Sequence, residues 1–246
     1  LGAIIAYDYA KKYHIPAYIA DPVVVDELEP VARISGCYAI QRLSKFHALN
    51  QKAVAKRFAE SKHKKYEQLD LIVAHMGGGV SIGLHVKGRV IDVNDALGGE
   101  GPFSPERAGG VPTFPLIEIC FKKGMTKKEA KRYIVGKGGL VGYMGTSDMQ
   151  KITKQMKTNK KAALIIKAMA YQIAKEIGAL YFANNCKCDQ VILTGGIAHD
   201  KKFVEMIKKH INKTIPVTVY PGEDELLALA TAGYRVLYKK EKPKTY

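Results

Sequence analysis

LDLIVAHMGGGVSIGLHVKGRVIDVND, residues 69–95, decides the fold. Three apolar, β-branched runs at 69–76, 80–86 and 89–95 follow one another, with only Gly77-Gly78-Gly79 and then Lys87-Gly88 between them. Connections that short join antiparallel neighbours, so the stretch reads as a three-stranded meander. Downstream the pattern changes. A long helix is expected over about 160–184, a buried strand over 188–196, a helix over about 199–211 and a strand over 216–222. A last helix is expected over 224–239, started by Asp224 or Glu223 through capping or the helix dipole. Antiparallel strands followed by alternating βα units call for an α/β fold, a mixed sheet with helices on both faces.

Upstream of the meander, residues 2–13 read as an amphipathic helix, and AYIAD (17–21) as a short buried strand closed by Pro22. HALNQKAVAKRFAE (47–60) has helix formers with apolar residues at helical spacing. Residues 98–150 are rich in Gly and Pro, with short helices expected at 113–122 and 126–135; the segment reads as an insertion that carries function.

Composition narrows the class. With 47% apolar residues in 246, the chain can fill a core, and it has no run near the roughly 18 apolar residues of a membrane span. A soluble, cytoplasmic protein with no membrane partner is expected. The four cysteines fit free thiols, and Cys186 with Cys188 are too few to ligate zinc alone. A net charge of +16 suggests phosphate-bearing partners. Its lysines are spread along helical segments without interleaved aromatics, so nucleic acid is not expected, while small anions would be drawn in.

Three glycine-rich turns follow strands, where bare backbone can approach a phosphate. In HMGGGVSIG (75–83), Gly77, Gly78 and Gly79 can turn N–H groups inward, beside His75 and the hydroxyl of Ser81; an ordinary hairpin would need less glycine. LTGGIA (193–198) is a strand-to-helix turn, suited either to an anion or nucleoside or simply to tight packing. DALGGEGPFSPERAGGVP (95–112) sets Arg107 in a stiff loop, where a guanidinium can grip a phosphate or carboxylate in bidentate fashion. Asp21, expected at a strand end, and Glu225, after the last strand, are candidate magnesium ligands or turn acids. His47 begins a helix, and on position alone a structural role is open to it.

DPVVVDEL (21–28), SKFHALNQKAVA (44–55), HMGGGVSIG (75–83), DVNDALGGEGPFSPERAGGVP (92–112), GKGGLVGYMGTSD (136–148), ILTGGIA (192–198) and YPGEDELLALA (220–230) resemble butyrate kinase and its branched-chain relatives in the acetokinase family. The resemblance runs nearly end to end. It implies the ribonuclease H-like fold of the acetate and sugar kinase, heat-shock chaperone and actin superfamily. It also implies reversible transfer of a phosphoryl group from ATP to butyrate or a related short or branched-chain acid, giving ADP and an acyl phosphate, with Mg2+.

Asp21, His47 and Arg107 would then be catalytic, and Asp21 and Glu225 would serve the metal. His75, Gly77 to Gly79, Ser81, Asp148 and the turn Gly195, Gly196, Ile197 and Ala198 would hold the nucleotide. Gly78 stands where acetate kinases carry Asn, and Gln150 where the family commonly has Arg. The resemblance further implies that residues 1–25 are the remnant of an N-terminal kinase domain, with the final helix, about 226–246, packing back on it. Residues 26–225 would be the C-terminal domain, and a homo-oligomer is expected. The alternative is a non-catalytic nucleotide-binding or assembly fragment of such a kinase.

Overall fold

Alternation along two strands organises the molecule. In the computed structural model, which describes residues 2–211 and 213–243, β3 (Leu71–Met76) and β4 (Val80–Val86) lie at the heart of a five-stranded sheet. β5 (Arg89–Val93) pairs antiparallel with β4, and β3 with β4, as the meander requires. β6 (Gln190–Gly195) runs parallel to β3, and β7 (Val217–Pro221) parallel to β6, giving the order β5-β4-β3-β6-β7.

Successive side chains point to opposite faces of a strand, so each face collects its own set. One face takes Ile72, Ala74 and Met76 of β3, with Val80, Ile82 and Leu84 of β4. Ile166, Met169, Ile173 and Ile177 of the long helix α7 (Lys160–Ala183) pack there, with α8 (Lys201–Ile211) beside it. Each of these buried aliphatic side chains contributes roughly 1.5–3 kcal/mol by leaving water. The other face takes Leu71 and Val73 with Ile192, packed under Val54, Ala55, Phe58 and Ala59 of α2 (Ala48–Ser61). His75, Ser81, Gly83 and His85 share that second face by the same alternation.

Around this core lie α1 (Gly2–Tyr13), the hairpin β1 (Ile34–Cys37) and β2 (Ile40–Gln41), and α3 (Thr113–Lys122) with α4 (Lys127–Ile134). Two short helices, α5 (Gly139–Met144) and α6 (Met149–Gln155), follow, and α9 (Glu225–Leu237) closes the order against α2. No residue of α1 or α9 is fully buried.

Several expectations need correction. AYIAD forms no strand; Tyr18 and Ile19 are exposed, and strand propensity without a neighbouring strand to bond gives only irregular backbone. Asp21 therefore ends no strand, and it adopts φ +38° in a turn. The β1-β2 hairpin and the helices α5 and α6 were not anticipated, because each is too short to show a period. Asp224 occupies the N-cap of α9 but makes no capping bond through its side chain. The last helix stops at Leu237, and the outermost part of its expected span, 244–246, lies outside the described residues.

Candidate active site

The site grows from the second face of the sheet, where β3, β4 and the first turn of α2 meet. His47 is the N-cap residue of α2, yet its side chain caps nothing; its Nδ1 lies 2.8 Å from Ser81 Oγ. Its ring stacks on His75, with centroids 3.8 Å apart and planes 11° from parallel. Burial, reinforced by His75 and by the positive charge of Arg107, lowers the His47 pKa to about 3. His47 is accordingly neutral at physiological pH, and it meets an anion as a hydrogen-bond partner rather than as a charge.

His75 is almost fully buried. Its Nδ1 lies 2.8 Å from Asn50 Oδ1. Its Nε2 lies 3.1 Å from Glu223 Oε1, without the alignment of a hydrogen bond, and is a buried polar atom with no such partner among the described residues. A side chain placed on Gly77 would come within 3.3 Å of this Nε2 and 3.1 Å of the Glu223 carboxylate. This nitrogen thus abuts the bare glycine turn, where no side chain blocks approach to it. The His75 contact holds Glu223 below the ordinary carboxylate range, so it is ionised at neutral pH.

Arg107 arrives from the other side. Its Nη1 donates to the Ala96 carbonyl at 2.7 Å, and the guanidinium lies so close over Gly79 that a Cβ there would sit 1.9 Å from Nη1. Glycine at 79 is needed for this approach, and the triple-glycine turn is more than a hairpin. Burial lowers the Arg107 pKa, but a guanidinium is so basic that it stays charged. The loop is anchored by Ser104 Oγ donating to the Gly78 carbonyl at 2.7 Å. A bridge between Arg107 and Val135, just past α4, holds its far side. Three sequence-predicted residues, His47, His75 and Arg107, are therefore brought together around Gly77 to Gly79.

A groove of about 640 Å3 opens nearby, lined by Asp148, Gln150 and Lys154 on one side and Gly196, Ile197 and Lys201 on the other. The expected nucleotide residues Asp148, Gly196 and Ile197 do meet there. Asp148 also caps α6, accepting from the Lys151 N–H at 2.9 Å. Gly195 is tied to Gly222 by paired backbone bonds of 3.2 and 3.0 Å, which places the turn beside Glu223. Ala198 instead belongs to the apolar core.

Other expected residues fall elsewhere. Ser81 is fully buried; its hydroxyl lies beneath the glycine turn, bonded to protein groups, and not in the phosphate loop. Glu225 is exposed on the first turn of α9, whereas Glu223 is the acid that reaches the imidazoles. Asp21 lies 3.7 Å from Lys52 Nζ and lines a cavity of about 450 Å3 with Asn50, Arg57, Tyr220 and Gly222. Asn50 and Gln51 were not singled out in the sequence, and Glu223 only as a possible start of the last helix. The signal available was the polar Ser81 and His85 within an otherwise apolar strand, which demands polar partners from whatever covers that face.

Among the described residues no cluster of three His, Cys, Asp or Glu is arranged to hold a metal, and the cysteines are free thiols. Nor is any described helix long and apolar enough to cross a membrane.

Residues 34–241 match the family described as the acetokinase family. Among solved structures, the chain is similar to the acetate kinase of Porphyromonas gingivalis, with TM-score 0.79, 21% identity, and coverage of 88% of this chain and 63% of that one. A propionate kinase from Francisella tularensis gives TM-score 0.76 at 21% identity, covering 92% and 67%. The acetate kinase of Entamoeba histolytica gives 0.72 at 18%, covering 85% and 63%. The chain spans 63–67% of the length of these three structures. At such identities the likeness establishes the fold alone, the mixed α/β fold that this chain shares with these kinases.

Proposed function

The chain belongs to the acetokinase family, and on that premise we propose that it transfers the γ-phosphoryl group of ATP to the carboxylate of butyrate or a related short or branched-chain fatty acid, reversibly. The observation that carries the reading is the guanidinium of Arg107 laid across Gly79 beside the stacked His47 and His75. Phosphoryl transfer asks little covalent work of a protein; it asks for alignment and for donors around the equatorial oxygens. Arg107 supplies the charge and His47 a neutral hydrogen bond. The glycine-turn amides supply the cradle, and the groove between Asp148 and Gly196 holds the nucleoside.

A magnesium ion that arrives on a nucleotide needs only one or two protein carboxylates. Glu223, ionised beside Gly77, and Asp21, on the α2 side, suit that need. When bound, the ion would neutralise charge on the β- and γ-phosphates. Glu225, facing solvent, is a poorer candidate than Glu223.

Butyrate-type specificity rests on the motif resemblance, and Gly78 in place of Asn is the residue that favours it. Assembly as a homo-oligomer belongs to the same proposal. The test is hydroxamate-trapped acyl phosphate formed from ATP and a series of acids from acetate to valerate. The expected profile peaks at four or five carbons. A peak at acetate would overturn the chain-length reading. Nucleotide binding with no acyl phosphate from any acid would favour a non-catalytic nucleotide-binding module.

A further inference from the structure

Beneath the imidazole pair, a line of polar groups runs through the protein interior. Tyr66 OH lies 2.7 Å from His85 Nδ1, and His85 Nε2 lies 3.0 Å from Gln51 Oε1. Gln51 Nε2 lies 2.8 Å from Ser81 Oγ, which lies 2.8 Å from His47 Nδ1. Tyr66, His85, Gln51 and Ser81 are all buried.

The direction of each bond is determined. The Ser81 carbonyl accepts from Gln51 Nε2 at 3.1 Å; turning the amide over would set oxygen against oxygen. The amide oxygen therefore faces His85, whose Nε2 must donate and whose Nδ1 accepts from Tyr66. Burial lowers the His85 pKa to about 3 and raises that of Tyr66, so both stay neutral and keep these roles. At the other end, Ser81 Oγ already accepts from Gln51 Nε2 and, at 3.4 Å, from the His47 backbone N–H. Its two lone pairs are used, and its own proton has His47 Nδ1 as acceptor.

We propose that Gln51 is a positioning residue: its amide, oriented by the Ser81 carbonyl, sets the polarity of the line and holds His47 as the Nε2–H tautomer, a donor to an anionic oxygen in the cleft. Gly83 supports this arrangement, because a Cβ there would lie 2.5 Å from Gln51 Oε1. Bare backbone at 83 is what lets the amide lie on β4. That the anion is a phosphoryl group rests on the kinase reading; the tautomer does not.

The test is nitrogen-15 NMR of histidine-labelled chain at neutral pH without nucleotide, with the His47 signals assigned by their loss in His47→Asn. The expected pattern is a protonated Nε2 and an unprotonated, hydrogen-bonded Nδ1. A protonated Nδ1, or a pair averaged between tautomers, overturns the inference. In Gln51→Met the serine hydroxyl is released, and His47 is expected to average. In Gln51→Glu an acceptor faces Ser81, takes its proton, and His47 is expected to protonate at Nδ1. If either variant folds and His47 stays locked as Nε2–H, Gln51 does not set it. In an active chain, Gln51→Met should lower kcat roughly ten- to a hundredfold, with KM for ATP held, as for a misaligned catalytic group. A wild-type chain with the expected tautomer but no acyl phosphate would sink the kinase reading alone. An active chain with the opposite tautomer would sink only this one.

Discussion

The two faces of one sheet divide the labour. Under α7, β3 and β4 present Ile72, Ala74, Met76, Val80, Ile82 and Leu84, an unbroken apolar surface. Under α2, the same strands present His75, Ser81 and His85 beyond Leu71 and Val73, and the helix answers with Asn50 and Gln51. A buried polar group left unpaired costs about 1–3 kcal/mol, and among the described residues the α2 face leaves one such atom, His75 Nε2, at the glycine turn. The difference teaches where change is tolerated: the α7 face stores stability, and the α2 face trades some of it for an oriented imidazole pair.

The hardest test of that division is a cavity on the α7 face. Ile173→Ala, at a fully buried position of α7, is expected to lower unfolding free energy by about 2–5 kcal/mol in a denaturant titration. The His47 tautomer in the folded fraction should not change. A tautomer that moved with Ile173 would mean that the two faces are coupled through the sheet and the division is wrong.

Next in size is Arg107→Gln, which removes charge from the cleft but nothing from either face's core. Loss of one preorganised charge typically costs 10²–10³ in rate, about 3–4 kcal/mol. Acyl phosphate formation should fall by that factor while the midpoint of denaturation shifts little. A large loss of stability instead would mark Arg107 as a structural tie between Ala96 and the glycine turn.

Acid should then act on the α2 face through its histidines. His47 and His85 are both lowered from 6.5 to about 3 by burial, so the unfolded chain binds protons that the folded chain refuses. Their contribution is complete above about pH 6.5 and is lost as pH falls toward 3. The limiting slope is about 1.4 kcal/mol per pH unit for each histidine. Urea midpoints measured from pH 7 to pH 4 should show this decline, and His85→Asn should roughly halve its slope. A flat profile would mean that these rings are solvated in solution.

Much of this was legible in the chain and some was not, for identifiable reasons. The meander over 69–95 and the two parallel strands after it follow from short glycine connections and apolar runs, and they appear where expected to within a residue or two. His47, His75, Arg107 and Gly77 to Gly79 converge because glycine and a stiff loop leave a signal in sequence. Gln51 left none at its own position: on a helix of Lys, Gln and Ala it looks like a solvated residue, and the hint lay in Ser81 and His85 on the strand across the interface. Glu223 and Glu225 are two residues apart, and only the place where β7 ends decides which one turns to the imidazoles. AYIAD shows the converse, a strand pattern with no neighbour to pair.

The smallest expected effect probes what lies between the faces, the segment that delivers Arg107. α4 begins with a capping box in which Thr126 Oγ1 accepts from the Glu129 N–H while Glu129 accepts from the Thr126 N–H at 2.9 Å. The helix ends where the Ala108 N–H bonds the Ile134 carbonyl at 2.9 Å and the Gly136 N–H bonds the Glu106 carbonyl at 2.7 Å, one residue to either side of Arg107. Thr126→Ala removes the cap but leaves those bonds, so the cost should be about 1 kcal/mol. If α4 only supports the loop, activity should fall by less than about threefold, because a frayed first turn lies a full helix away from the guanidinium. A loss near that of Arg107→Gln would mean that the loop is held in place by the helix as a whole. Placement of the Arg107 charge would then depend on the insertion rather than on the sheet faces.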